Sequence, residues 1–219
     1  MPSETLPGGE PSRPIGSWVR SSPGTHVWLL IIAITGLVIA LSSDGLEHYL
    51  LHRNSSNLHQ LSHHPVQALL GSAFWIENPS ALLLYALLFE VFHAPVERWI
   101  GTPRWLLTVA TAHVAATLIS QKLVLEAIQD HDLPRSMAHV VDIGVSYGLA
   151  ASAGILTYRL PRPWRRLYLA AAVAFFAVPL CTRQTYTDVG HALSLVIGLA
   201  CRPLTRGKPM AVLRLPRAD

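Results

Sequence analysis

Gly144-Val145-Ser146-Tyr147-Gly148 and, further along, Gly190-His191 hold the pair of residue types in this chain best suited to covalent chemistry. A serine hydroxyl is a weak nucleophile at neutral pH. A neutral imidazole hydrogen-bonded to it takes its proton as attack proceeds, and that pair is the minimum for acyl transfer. The competing reading of Ser146 is a small residue chosen for helix packing. A second group is rich in imidazole: His48 and His52, then His59, His63 and His64. Imidazoles four apart fall on one face of a helix, as metal ligands require. The competing reading is a solvated interfacial loop whose histidines titrate near neutral pH.

The elements that must position these groups follow from composition. The 219 residues are 51% hydrophobic and 14% charged, with a mean hydropathy of +0.35. Soluble domains carry about 25% charged residues. A disordered chain, a coiled coil and a small disulfide scaffold are therefore excluded, and a polytopic helical membrane protein is expected. Six transmembrane helices are expected, at about Val27–Ser43, Ser80–Val96, Trp105–Gln121, Met137–Tyr158, Leu167–Cys181 and Thr187–Cys201. Val66–Ile76 is apolar but too short to cross about 30 Å of hydrocarbon. Residues 1–25, rich in Pro, Gly and Ser, read as a mobile tail, residues 26–203 as the helical domain and residues 204–219 as a basic tail.

Charge placement orients this arrangement. Thirteen Lys and Arg fall with the two tails and the even-numbered loops, and four (Arg53, Lys122, Arg135, Arg183) on the other side. The positive-inside rule then puts both termini in the cytoplasm. The basic pI of about 9.4 follows from this asymmetry, so no nucleic-acid partner is expected and the lipid bilayer is the expected surrounding.

Ionisable groups inside hydrocarbon cost about 3 kcal/mol or more and are site candidates by default. They are Glu90, His93, His113, His139, Asp142, Asp188 and His191, each of which could instead make a packing hydrogen bond. Gly144, Gly148 and Ser152 recur every fourth residue, as do Gly190, Ser194 and Gly198. Two such stripes predict that the fourth and sixth spans pack nearly backbone to backbone. Ser146 and His191 then lie at similar shallow depths, about nine and four residues in from the outer ends of their spans.

With those residues in place, the chain resembles the rhomboid family of intramembrane serine proteases, of the six-span bacterial kind. The matching segments are Ala94-Pro95-Val96-Glu97-Arg98-Trp99-Ile100-Gly101, Gly144-Val145-Ser146-Tyr147-Gly148, and Gly190-His191 with Gly198. The resemblance implies an all-α, rhomboid-like bundle in a bacterial-type plasma membrane. It also implies Ser146 as nucleophile, His191 as base, no cofactor, and transmembrane segments of other proteins as substrate or ligand. Four positions depart from the family pattern. Tyr147 stands where the motif has its second glycine, and Ser194 where a glycine follows the histidine. Ala81 and Tyr85 stand where the family carries a His and an Asn that bind the oxyanion. Asn78, one turn further out, is the candidate replacement beside the Ser146 backbone N–H; its other reading is a helix cap ahead of Pro79.

Two alternatives remain open. One is a catalytically silent rhomboid-like protein that binds transmembrane segments. The other starts from the histidine-rich loop at 48–64, which resembles the histidine boxes of membrane di-iron desaturases and hydroxylases. That implies a metal-dependent oxidoreductase, although the third box of that pattern is missing and the loop is expected on the outer side. The GxSxG spacing also matches the nucleophile elbow of α/β-hydrolases. That fold needs a strand before the serine, and the segment here reads as a membrane helix.

Overall fold

The computed structural model describes residues 15–183 and 185–209. Eleven α-helices run through them: α1 Ile15–Arg20, α2 Pro23–Ala40, α3 Asp44–Arg53, α4 Leu58–His63, α5 Pro65–Ser72, α6 Leu82–Leu88, α7 Ala94–Ile100, α8 Thr102–Gln129, α9 Val145–Leu156, α10 Arg162–Thr182 and α11 Tyr186–Ala200. Among the described residues there is no strand. A 3-10 turn at Pro79–Ala81 leads into α6, and a wide π-turn at Phe89–His93 joins α6 to α7. Pro79–Ile100 therefore acts as one continuous rod. That rod, α2, α8 and α10 are long and apolar enough to cross a membrane.

The other two expected spans are shorter. α11 has 15 residues and α9 only 12. Met137–Tyr158 is not one helix. Arg135–His139 is a 3-10 turn, the backbone is extended at Val140, and the α-helix starts only after Gly144. Residues 141–143 form no regular structure between the turn and the helix. Ser146 is thus the second residue of its helix, not the ninth of a longer one. Two further expectations change in detail. The histidine-rich stretch is built as α3 and α4, the latter capped by Asn57 Oδ1 accepting from Gln60 N at 2.9 Å. Of the segment expected as a tail, residues 1–14 lie outside the described residues, while Ile15–Arg20 is helical and Ser22 and Thr25 are buried.

α9 is the centre. Ten of its twelve residues are buried, as suits a helix that is apolar on every side. α8 and α11 pack directly on it. α10 has no buried residue, and its main neighbour is α11. Gly154 and Gly198 set the α9–α11 spacing. A Cβ on Gly154 would sit 2.5 Å from the Leu195 carbonyl oxygen, and one on Gly198 would run into the backbone of Ala151.

The corner between α7 and α8 is held by a buried carboxylate. Gly101 has φ 89°, a left-handed conformation open to glycine. Glu97, on the preceding turn, is 1% exposed. It accepts hydrogen bonds from Thr102 Oγ1 (2.7 Å), Gly24 N (2.8 Å), Thr25 N (2.7 Å) and Thr25 Oγ1 (2.6 Å). The two amides are first-turn donors of α2, which have no partner inside their own helix. The carboxylate also complements the positive end of the α2 dipole. Glu97→Ala is expected to lower stability by more than about 3 kcal/mol, because it strands several buried donors at once. Thermal unfolding of the detergent-solubilised chain measures this, and an unchanged melting midpoint would refute the clamp.

Candidate active site

Ser146 sits on the first turn of α9 and His191 on the second turn of α11. The α9–α11 contact brings His191 Nε2 to 2.7 Å from Ser146 Oγ, the distance at which a hydroxyl donates to a neutral imidazole. The His191 ring lies between two aromatic rings: Tyr147 at 5.3 Å between centroids and Phe176 of α10 at 6.0 Å. Both Ser146 and His191 line an apolar cavity of about 570 Å³ between α9, α10, α11 and the α6 rod. Leu88, Phe92 and Phe175 form much of its wall. At its edge Arg183 pairs with Asp188 at 3.2 Å. Asp188 also closes the capping box of α11, with Thr185 Oγ1 donating to it at 2.7 Å.

The small-residue stripes are used differently from expectation. On α11, Gly190 faces the Tyr147 ring, Gly198 faces Ala151, and Ser194 is buried. On α9, the face turned to α11 is Tyr147, Ala151 and Gly154 instead of Gly144, Gly148 and Ser152. Gly148 packs on Trp28 and Val109, and Gly144 on the His113 ring. Ser152 Oγ bonds His93 Nδ1 at 2.8 Å. α9 is thus turned so that the Gly148 and Ser152 side meets α2, α8 and His93, and the Tyr147, Ala151 and Gly154 side meets α11.

The segment leading to Ser146 is tied down from both sides. Gly144 N donates to Ser72 O at 3.0 Å and Ser56 N to Asp142 O at 2.9 Å. Asp142 N donates to Ser55 Oγ at 2.9 Å. The Asp142 carboxylate accepts from Gln121 Nε2 at 3.0 Å, Ser56 Oγ at 3.2 Å and the Tyr147 hydroxyl at 3.3 Å. The remaining intramembrane candidates make local contacts. His93 Nδ1 also accepts from Trp105 Nε1 at 3.1 Å. His113 lies between the carbonyls of Gly144 (3.2 Å) and Leu69 (2.9 Å). Glu90 pairs with Arg98 at 3.4 Å and His26 at 3.1 Å.

The histidine-rich stretch forms pairs of stacked rings. His48 and His52 are 4.1 Å apart between centroids, His59 and His63 are 4.5 Å apart, and His139 stacks on His59 at 4.5 Å. Desolvation, then the neighbouring His48 and His139, pushes His52 below the ordinary imidazole range. Among the described residues no three His, Cys, Asp or Glu groups converge as a metal site.

Asn78 is exposed, and its Oδ1 accepts from Ser80 N at 3.0 Å and Ser80 Oγ at 2.7 Å, capping the turn that starts at Pro79. It is not part of the cavity wall that Ser146 and His191 share. Tyr147 and Phe176 are the neighbours of His191 that sequence reasoning did not assign. Tyr147 stood out only as a motif departure, and Phe176 carried no signal.

A family model described as rhomboid-like protein matches residues 17–211. No curated protein and no solved structure matches the chain.

Asn78→Ala is expected to lower the melting midpoint by an amount equivalent to about 1 kcal/mol, the worth of an N-cap. Labelling of Ser146 by a serine-directed probe, per folded molecule, is expected to stay at the parental rate. A slower rate at an unchanged midpoint would instead put Asn78 at the oxyanion.

Proposed function

The chain belongs to the rhomboid-like family, a membrane protein in contact with the lipid bilayer, and from that premise we propose that it is an intramembrane serine endopeptidase. The reaction is cleavage of a transmembrane or juxtamembrane peptide bond near the outer face. The observation that carries the proposal is the 2.7 Å contact of His191 Nε2 with Ser146 Oγ at the wall of an apolar cavity. Ser146 Oγ attacks the scissile carbonyl carbon and its proton passes to His191 Nε2. The tetrahedral adduct collapses, the C–N bond breaks, and His191 returns the proton to the leaving amine. Water then hydrolyses the acyl-enzyme by the same route.

The N–H groups of Val145 and Ser146 at the start of α9, where a helix has no internal partners for its first amides, are the donors offered to the developing oxyanion, with the helix dipole behind them. Loss of one oxyanion donor costs about 10²–10³ in rate. Ala81 and Tyr85 supply no side chain of the family kind, so turnover is expected to be slow. That same feature favours a second reading, in which the chain binds transmembrane segments without cutting them.

The surrounding arrangement belongs to the same proposal. Six helices span a bacterial-type plasma membrane, residues 26–203 form the spanning domain, and both termini are cytoplasmic. α9 and α11 are shorter than the hydrocarbon core. In this arrangement the packed helices around them shield their ends from lipid.

Two experiments test the proposal. A fluorophosphonate probe should label the wild-type chain, Ser146→Ala should abolish labelling, and His191→Ala should slow it by several orders of magnitude. Full labelling of Ser146→Ala would show that another residue reacts. For orientation, cysteines placed beside Arg53 and Arg135 should react with an impermeant reagent from outside, and those beside Arg98 and Arg162 should not. Outside reaction beside Arg98 would overturn the cytoplasmic placement of the termini.

A further inference from the structure

Asp142 is a buried charge that the reaction above leaves idle. It is 8% exposed. Its three side-chain donors, Gln121, Ser56 and Tyr147, are all neutral. Among the described residues no Lys, Arg or His nitrogen lies within ion-pair distance of it. A buried carboxylate without a cation is costly to keep. Asp188, the carboxylate on the helix of His191, is different, because Arg183 already balances it at 3.2 Å.

Tyr147 joins this unbalanced anion to His191. Its hydroxyl donates to Asp142 Oδ1 at 3.3 Å. Its ring meets the imidazole at 71° with centroids 5.3 Å apart. The ring fits there because residue 190 is glycine: a Cβ would lie 2.7 Å from the ring atoms. An aromatic face attracts a cation. The imidazole becomes a cation at the moment it takes the proton of Ser146. His191 makes no other hydrogen bond among the described residues than the one to Ser146, so no carboxylate touches its second nitrogen directly.

We propose that Asp142 is a positioning residue that acts on His191 through Tyr147, fixing the phenol so that its ring holds the imidazole, and balancing the imidazolium that forms as Ser146 attacks. The inference rests on the reading of Ser146 and His191 as nucleophile and base. No bond to Asp142 forms or breaks. The proton moves only between Ser146 Oγ, His191 Nε2 and the leaving group. The other charged or titratable groups around this relay are Arg183 and Asp188 beside His191, His113 of α8 beside Tyr147, and Glu77 near Asp142. Phe176 of α10 adds an uncharged wall.

The test uses the full chain in detergent and the rate of fluorophosphonate attachment to Ser146 as a function of pH. Asp142→Asn keeps an acceptor for Tyr147 and removes the charge. Its plateau rate is expected to fall about tenfold, the size of a Coulomb interaction across one ring in a protein interior. The acid limb of its rate–pH curve is expected to move to lower pH, because the protonated base is no longer favoured. Tyr147→Phe keeps the ring, breaks the link to Asp142, and should shift the curve in the same direction. The rate is read per folded molecule, so a lower melting midpoint in either variant leaves the test intact.

A plateau that falls while the curve keeps its position would show that Asp142 only supports the fold, and would overturn the proposal. A parental rate with a superposed curve would overturn it as well, while leaving the Ser146–His191 reading standing. Wild-type labelling that survives Ser146→Ala would defeat that reading and this inference together.

Discussion

The candidate site depends on one contact, the backbone-to-backbone approach of α9 and α11. Ser146 and His191 come from segments far apart in sequence, and neither side chain is long. They meet at 2.7 Å because Gly154 and Gly198 let the two helices close until carbonyls and α-carbons touch. Any side chain at either position would push the helix axes apart and stretch the hydrogen bond past its useful range. The aromatic walls of the site depend on the same approach, since Tyr147 rests on Gly190 in the line of that contact.

The membrane character and the pairing of the two helices were legible in the sequence for physical reasons. Long uncharged runs have one stable home, glycines at helical spacing mark close approach, and ionisable groups in hydrocarbon advertise themselves. The start of α9 was not legible. Nothing in Met137–Gly144 forbids a helix by composition alone. What unwinds it is tertiary: Ser55, Ser56 and Ser72 offer the backbone of Asp142 and Gly144 partners that a helix would not need. The stripe on α9 was assigned to the wrong face because small residues also stand on the other side of that helix, at Ala151 and Gly154. Asn78 shows the opposite case. Its cap ahead of Pro79 was readable from two adjacent residues, because capping is a local interaction.

The outer helices divide into a firmly held set and a loosely held one. α2, the α6–α7 rod and α8 interlock through Trp28, Phe89, His93 and Trp105, whose rings touch in sequence. α10 has no residue hidden from its surroundings and walls the cavity with Phe175 and Phe176. One side of the cavity is thus made by a helix packed mainly on α11, and the opposite side by helices that each pack on several neighbours.

The Glu97 clamp has a consequence for how the chain is made. A nascent chain emerges from its N-terminus, so α2 reaches the bilayer while Glu97 and Thr102 are still being added. Until then the amides of Gly24 and Thr25 have no protein partner, and an unpaired amide in hydrocarbon costs several kcal/mol. Before that corner exists, water of the interfacial layer is the partner open to this turn. A residue some seventy positions downstream then replaces it with a buried carboxylate.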